Sequence, residues 1–140
     1  YPVGKISKED QYLLEHTEAS LYEGIKQVKV GAKIGDVSNA VYEYATKHKL
    51  GVVRELTGHG IGRDMHEAPD VPNYGNKNTG ITLKEGMAIA IEPMLNYGKR
   101  HVAILEDGWT IVTRDGSNSA HFEHTVILTK DGVIITTERL

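Results

Sequence analysis

Cysteine is missing from the sequence altogether. Disulfides are therefore excluded, and with them every thiolate mechanism. Such a chain suits a reducing cytosol, so a cytoplasmic location is expected. Long apolar runs are missing too. None approaches the ~20 residues that cross a bilayer, which removes the membrane as a partner. Basic charge is not in excess: the net charge is −3 at pH 7 and the pI about 6.2, so nothing marks a nucleic-acid surface. The first residues do not read as a signal peptide. What is present is ordinary for a folded domain. Hydrophobic residues make up 39% and charged residues 25% of 140, enough to bury a core in one unit. The opening Tyr1-Pro2-Val3-Gly4 carries no initiator methionine and reads as a start inside an extended segment, so a fragment, a processed product or a cut piece of a longer chain is expected.

Ser7 followed by Glu9 and Asp10 predicts a helix start, because a hydroxyl cap and early acidic residues suit a helix N-terminus. Leu14, Leu21, Ile25 and Val28 continue at helical intervals, and the helix is expected over 8–29, ended by Gly31. A second helix is expected from an Asp36 cap through Val37, Ala40, Val41, Tyr44, Ala45 and His48, stopped by Gly51. Beyond Gly51 the pattern turns to strands, expected over 52–57, 87–92, 101–105, 110–113, 120–129 and 133–137. Lys130-Asp131-Gly132 supplies a hairpin turn between the last two. The Pro-, Asn- and Gly-rich stretch 68–84 reads as loop. Two helices followed by many strands imply an α+β architecture, and the absence of repeats and linkers implies one domain over 1–140.

Three segments carry chemistry. In Gly58-His59-Gly60-Ile61-Gly62 one histidine sits among glycines that permit close backbone approach. That leaves it reachable by a ligand, or merely incidental in a flexible loop. A dinucleotide-binding glycine loop is rejected, because no apolar helix follows Gly62. In the strand ending at Glu92, Met87, Ile89 and Ile91 share one face, while Ala88, Ala90 and Glu92 share the other. A carboxylate ending an apolar strand is costly unless paired or metal-bound, although Pro93 also allows a frayed, solvated end. Glu123 opens another apolar strand between His121 and His124. Those two histidines point to opposite faces of a strand, so Glu123 is the stronger ligand candidate. His66 lies in a loop without the helix of a His-Glu-x-x-His site, and its weight depends on the others. One imidazole and two carboxylates suit manganese, iron, cobalt or zinc and point to a metallohydrolase.

The segments Gly58-His59-Gly60-Ile61-Gly62-Arg63, Ala90-Ile91-Glu92-Pro93-Met94 and Phe122-Glu123-His124-Thr125, in this order, resemble methionine aminopeptidases of the pita-bread fold. Leu83 to Met87 and Asp107-Gly108-Trp109 fit the same pattern. Glu92 follows His59 by 33 residues and Glu123 follows Glu92 by 31, which leaves no room for the type II insertion and resembles type I.

The resemblance implies half of a pita-bread fold, with two helices on a curved, mainly antiparallel sheet. It also implies a metal-dependent enzyme that removes N-terminal methionine from peptides and nascent proteins. It assigns His59, Glu92 and Glu123 as metal ligands. Glu92 would also be catalytic as a proton shuttle, and His66 would be a catalytic and substrate-binding histidine near the scissile peptide. Met65 and Trp109 would line the pocket for the substrate's methionine side chain. Two divalent ions (cobalt, manganese, iron or zinc) and no organic cofactor are implied, and the family's task would bring the enzyme to the ribosome. Two aspartate ligands and one further histidine belong to an N-terminal half upstream of the matched region. Asp10, Asp36, Asp64 and Asp70 stand in the wrong contexts to replace those aspartates. The isolated chain is accordingly expected to be inactive, to bind at most one metal weakly, and to expose the sheet face that packs against the missing half. A prolidase- or aminopeptidase P-like peptidase and a non-catalytic protein-binding module are the alternatives.

Overall fold

Ser7 begins α1 (Lys8–Ile25) as expected, its Oγ accepting the Asp10 N–H at 2.9 Å. The computed structural model describes residues 1–138 and places the end of α1 four residues short of Lys29. The reason lies in Val28, whose N–H closes a turn on the Ile25 carbonyl at 2.9 Å. Val28 thereby reaches the core from outside the helix, at 5% exposure. The second helix, α2 (Ile34–Lys47), starts before Asp36. Asp36 caps it from inside, accepting the Lys33 N–H and the Asn78 N–H, each at 2.8 Å. These two bonds, that from Lys33 the stronger, hold the Asp36 carboxyl below the usual carboxylate range. Val37, Val41 and Ala45 form the buried stripe of α2.

Among the described residues the strands build three antiparallel sheets. One has five strands, in the order β10 (Gly132–Ile135), β9 (His124–Thr129), β4 (Ala88–Ile91), β2 (Gly58–Ile61), β3 (Glu67–Val71). A second has the order β1 (Gly51–Val52), β5 (Met94–Asn96), β8 (Ser119–His121), and β6 (Val102–Ile104) with β7 (Ile111–Thr113) form a hairpin. Ile89 and Ile91 of the central β4 pack with Leu21, Ile25, Val37 and Leu83 in one core cluster. Leu13, Ala45 and Leu50 form a smaller cluster with Leu95 of the second sheet. Burying the apolar faces of both helices on these sheets is the main stabilising contribution, at about 25 cal/mol per Å² of apolar surface.

Three strand expectations change. The strand expected over 52–57 shrinks to β1, and the next strand, β2, begins only at Gly58, where the glycines admit close neighbours. The stretch 68–84 is not all loop, since β3 pairs with β2 at its start. The single strand expected over 120–129 is two strands. β8 pairs with β5 in one sheet, β9 pairs with β4 in the other, and Phe122-Glu123 bridge them. Glu92-Pro93 bridge β4 and β5 in the same way. Proline has no N–H to give to a ladder, so the chain can leave the first sheet there. The two crossings lie side by side, tied by the Phe122 N–H on the Pro93 carbonyl at 3.3 Å. Both candidate carboxylates therefore sit where neighbouring strands pass from one sheet to the other. A strand on each side aims them, yet neither is confined to the alternation of a continuous ladder.

Candidate metal centre

His59 reaches this junction from the neighbouring β2, where it pairs with Ala90 of β4 and Asp70 of β3. The glycines around it have a steric reason. A Cβ on Gly58 would run into the Ala90 carbonyl oxygen, and one on Gly60 into the Ala68 carbonyl oxygen. Only a strand without side chains at these two positions brings His59 so close to both neighbours. The His59 Nδ1 lies 2.9 Å from the Gly60 carbonyl. A carbonyl only accepts, so Nδ1 carries the proton and the neutral ring keeps its lone pair on Nε2. That atom lies 3.6 Å from the Glu92 Oε1.

His59, Glu92 and Glu123 each offer one ligand atom, and these three atoms lie within 4.8 Å of one another. Among the described residues this is the one such group of histidine and carboxylate donors. Its chemistry fits a divalent cation. Glu92 is buried at 9% exposure, a second carboxylate lies beside it, and among the described residues the basic groups facing it are the His59 and His121 imidazoles rather than any lysine or arginine. Two crowded carboxylates without a fixed cation repel each other, whereas a divalent ion bound between them and an imidazole neutralises both. The mixed N/O set belongs to the borderline metals rather than to those that prefer thiolate.

The other expected site residues are spread out. The His66 ring lies 4.2 Å from the His59 ring, centroid to centroid, on the exposed loop after β2. Met65, next to it, is 74% exposed, and Trp109 at the turn of the β6–β7 hairpin is 87% exposed. The histidines around Glu123 diverge as their spacing implies. His124 turns away, its Nε2 3.1 Å from the Tyr22 hydroxyl and its Nδ1 2.9 Å from the Thr137 hydroxyl. His121 turns inward and places Nε2 3.1 Å from the Glu92 Oε2. Asn73, buried at 1% exposure, donates its side-chain amide to the Glu92 main-chain oxygen at 3.0 Å. Sequence reasoning missed both contacts. His121 carried no usable signal, because the break between β8 and β9 at Phe122-Glu123 removes the alternation that would relate it to Glu123. Asn73 offers no signal either, because its partner is a main-chain atom 19 positions away.

Residues 1–130 match the model of metallopeptidase family M24. The chain belongs to that family. It is 50% identical over 137 residues to methionine aminopeptidase 1 of Bacillus subtilis, covering 98% of this chain and 55% of that protein. It superimposes on the crystal structure of methionine aminopeptidase from Rickettsia prowazekii with a TM-score of 0.96 and 47% identity, over 99% of this chain and 56% of that one. Against an Xaa-Pro dipeptidase from Bacillus anthracis the TM-score is 0.71 at 21% identity, over 99% of this chain and 33% of that one. This M24 chain thus has the expected α+β architecture of helices on antiparallel sheets, shared with pita-bread peptidases. It spans about half the length of the curated relatives it matches. No helix among its described residues is long and apolar enough to cross a membrane.

Proposed function

We propose that this M24 chain is one catalytic domain, the C-terminal half of a cytoplasmic methionine aminopeptidase that releases N-terminal methionine from peptides and nascent proteins. The convergence of His59, Glu92 and Glu123 within 4.8 Å carries this reading. The higher similarity to methionine aminopeptidases than to the Xaa-Pro dipeptidase favours methionine over proline specificity.

In this reading His59, Glu92 and Glu123 hold divalent metal, with aspartates of an upstream half completing the set for two ions of manganese, cobalt, iron or zinc. Such ions supply Lewis-acid activation of water and of the scissile carbonyl. Glu92 would take a proton from the attacking water and pass it to the leaving amine. Its burial keeps that exchange away from bulk solvent. The His66 ring, exposed beside His59, is free to donate toward oxyanion charge developing on the substrate, a contribution of about 2.7–4 kcal/mol for one such donor. Met65 and Trp109 are assigned to the wall around the methionine side chain. Both stand in solvent here, so substrate or the rest of the fold must complete that wall. The ribosome is the place where nascent substrates would be met.

The test joins this chain to the upstream half of the Bacillus subtilis relative. The folded fusion is then assayed on Met-Ala-Ser, with Mn or Co, and on a peptide with proline in second position. Methionine release from Met-Ala-Ser, lost in Glu92→Ala, is the expected result. Cleavage of only the proline peptide would transfer the reading to the prolidase-like class. Cleavage of neither by a metal-loaded fusion would sink it.

A further inference from the structure

The two oxygens of the Glu92 carboxylate face different imidazoles. Oε1 lies 3.6 Å from the His59 Nε2, on the side of the candidate metal centre, and Oε2 lies 3.1 Å from the His121 Nε2. His121 owes this position to the strand crossing. As the last residue of β8 it pairs with Met94, the first residue of β5 and two positions beyond Glu92. Phe122, next in the chain, packs against the core, and His121 faces Glu92 beside Glu123, which offers its own ligand atom to the same group. At 3.1 Å the Nε2 stands within donor reach of a carboxylate oxygen, which can only accept.

We propose that His121 is a positioning residue for Glu92: its Nε2–H holds Oε2 and thereby presents Oε1 to the metal centre. The terminal torsion of a glutamate is soft and roughly two-fold. Without a donor on one side, the carboxylate exchanges its oxygens and swings. With one, a single oxygen and direction are offered. The His121 side chain is 47% exposed, so its contact with Glu92 adds little to fold stability. Orientation is where its effect falls. Partners that orient a metal ligand in this way are worth roughly 10–100-fold in metal affinity.

The inference rests on the proposed metal centre, and the test separates the two. Mn²⁺ binding to the same folded fusion with the upstream half is followed at fixed pH through the loss of the free-ion paramagnetic resonance signal. The proteins are the wild type, His59→Ala, His121→Leu and His121→Gln, with circular dichroism confirming their fold. If the wild type binds no Mn²⁺, or His59→Ala binds as well as the wild type, the metal centre fails and the positioning role with it. If His59→Ala loses binding while His121→Leu binds like the wild type, the centre stands and the positioning role is overturned. The expected result is a rise in Kd of about 10–100-fold for His121→Leu. Glutamine offers a neutral N–H at similar reach, so His121→Gln is expected to bind within about threefold of the wild type. A glutamine variant as weak as the leucine variant would overturn the donor role.

Discussion

The side chain of Asn73 donates to the main-chain oxygen of Glu92 at 3.0 Å, with Asn73 only 1% exposed. Glu92 lies between β4 and β5, where its carbonyl has left the ladder of the first sheet and Pro93 follows. Asn73 supplies the missing donor and ties the segment after β3 to the residue that carries the buried carboxylate. Asn73→Leu keeps the volume but leaves that carbonyl unpaired, which costs about 1–3 kcal/mol. Urea unfolding should show a lower midpoint with an unchanged slope. An unchanged midpoint would mean that water replaces the amide.

Glu92 and Glu123 present ligand atoms within 4.8 Å of one another and have no lysine or arginine partner among the described residues. In metal-free buffer Glu123→Gln removes this repulsion, so its melting temperature should equal or exceed that of the wild type. Adding Mn²⁺ should reverse the order, because ligand binding stabilises the wild type by about 2.7 kcal/mol at a hundredfold excess over Kd and the variant by less. Thermal melts with and without EDTA and Mn²⁺ read this directly. The same order under both conditions would remove the metal from the account.

Gly58 holds β2 against β4, and a Cβ there meets the Ala90 carbonyl oxygen, which belongs to rigid backbone. Gly58→Ala should therefore cost about 1–3 kcal/mol, as overpacking does. Because His59 is the next residue, Mn²⁺ affinity should fall with it. Gly108→Ala, at a turn with open space around it, is the control, expected to lose stability through its φ of 68° but not metal affinity. Equal losses of affinity in both variants would argue against the steric account.

The Asp115 carboxyl is held down to about 2 by the Ser117 hydroxyl, then by the Lys99 and Ser117 N–H groups. A value depressed in the folded chain adds stability that is present above the unfolded value and is lost as pH falls toward 2. Asp115→Asn should melt lower than the wild type at pH 7, and the two should converge between about pH 4 and pH 2. Asp10, Asp36 and Asp107 are depressed in the same direction, chiefly by hydrogen bonds from Ser7, Lys33 and Thr110, so the wild type itself should lose stability over this range. A gap that stays constant on acidification would show that Asp115 acts through packing rather than charge.

The sequence by itself determined what local patterns encode: the start of α1 at Ser7, the buried stripe of α2, the Lys130-Asp131 turn, and the apolar strand carrying Ile89 and Ile91. It also singled out His59, Glu92 and Glu123, because a histidine among glycines and carboxylates beside apolar strands are costly arrangements that call for a reason. Only the tertiary structure decided how these residues meet. Alternation along one strand implies a continuous run over 120–129, whereas pairing with two different sheets breaks it at Phe122-Glu123. That break, beside the crossing at Glu92-Pro93, brings together carboxylates 31 positions apart. The contacts of Glu92 with His121 and Asn73 follow from the same crossing. They join positions 29 and 19 apart, and no periodicity along a chain can encode a contact that exists only after two sheets have packed.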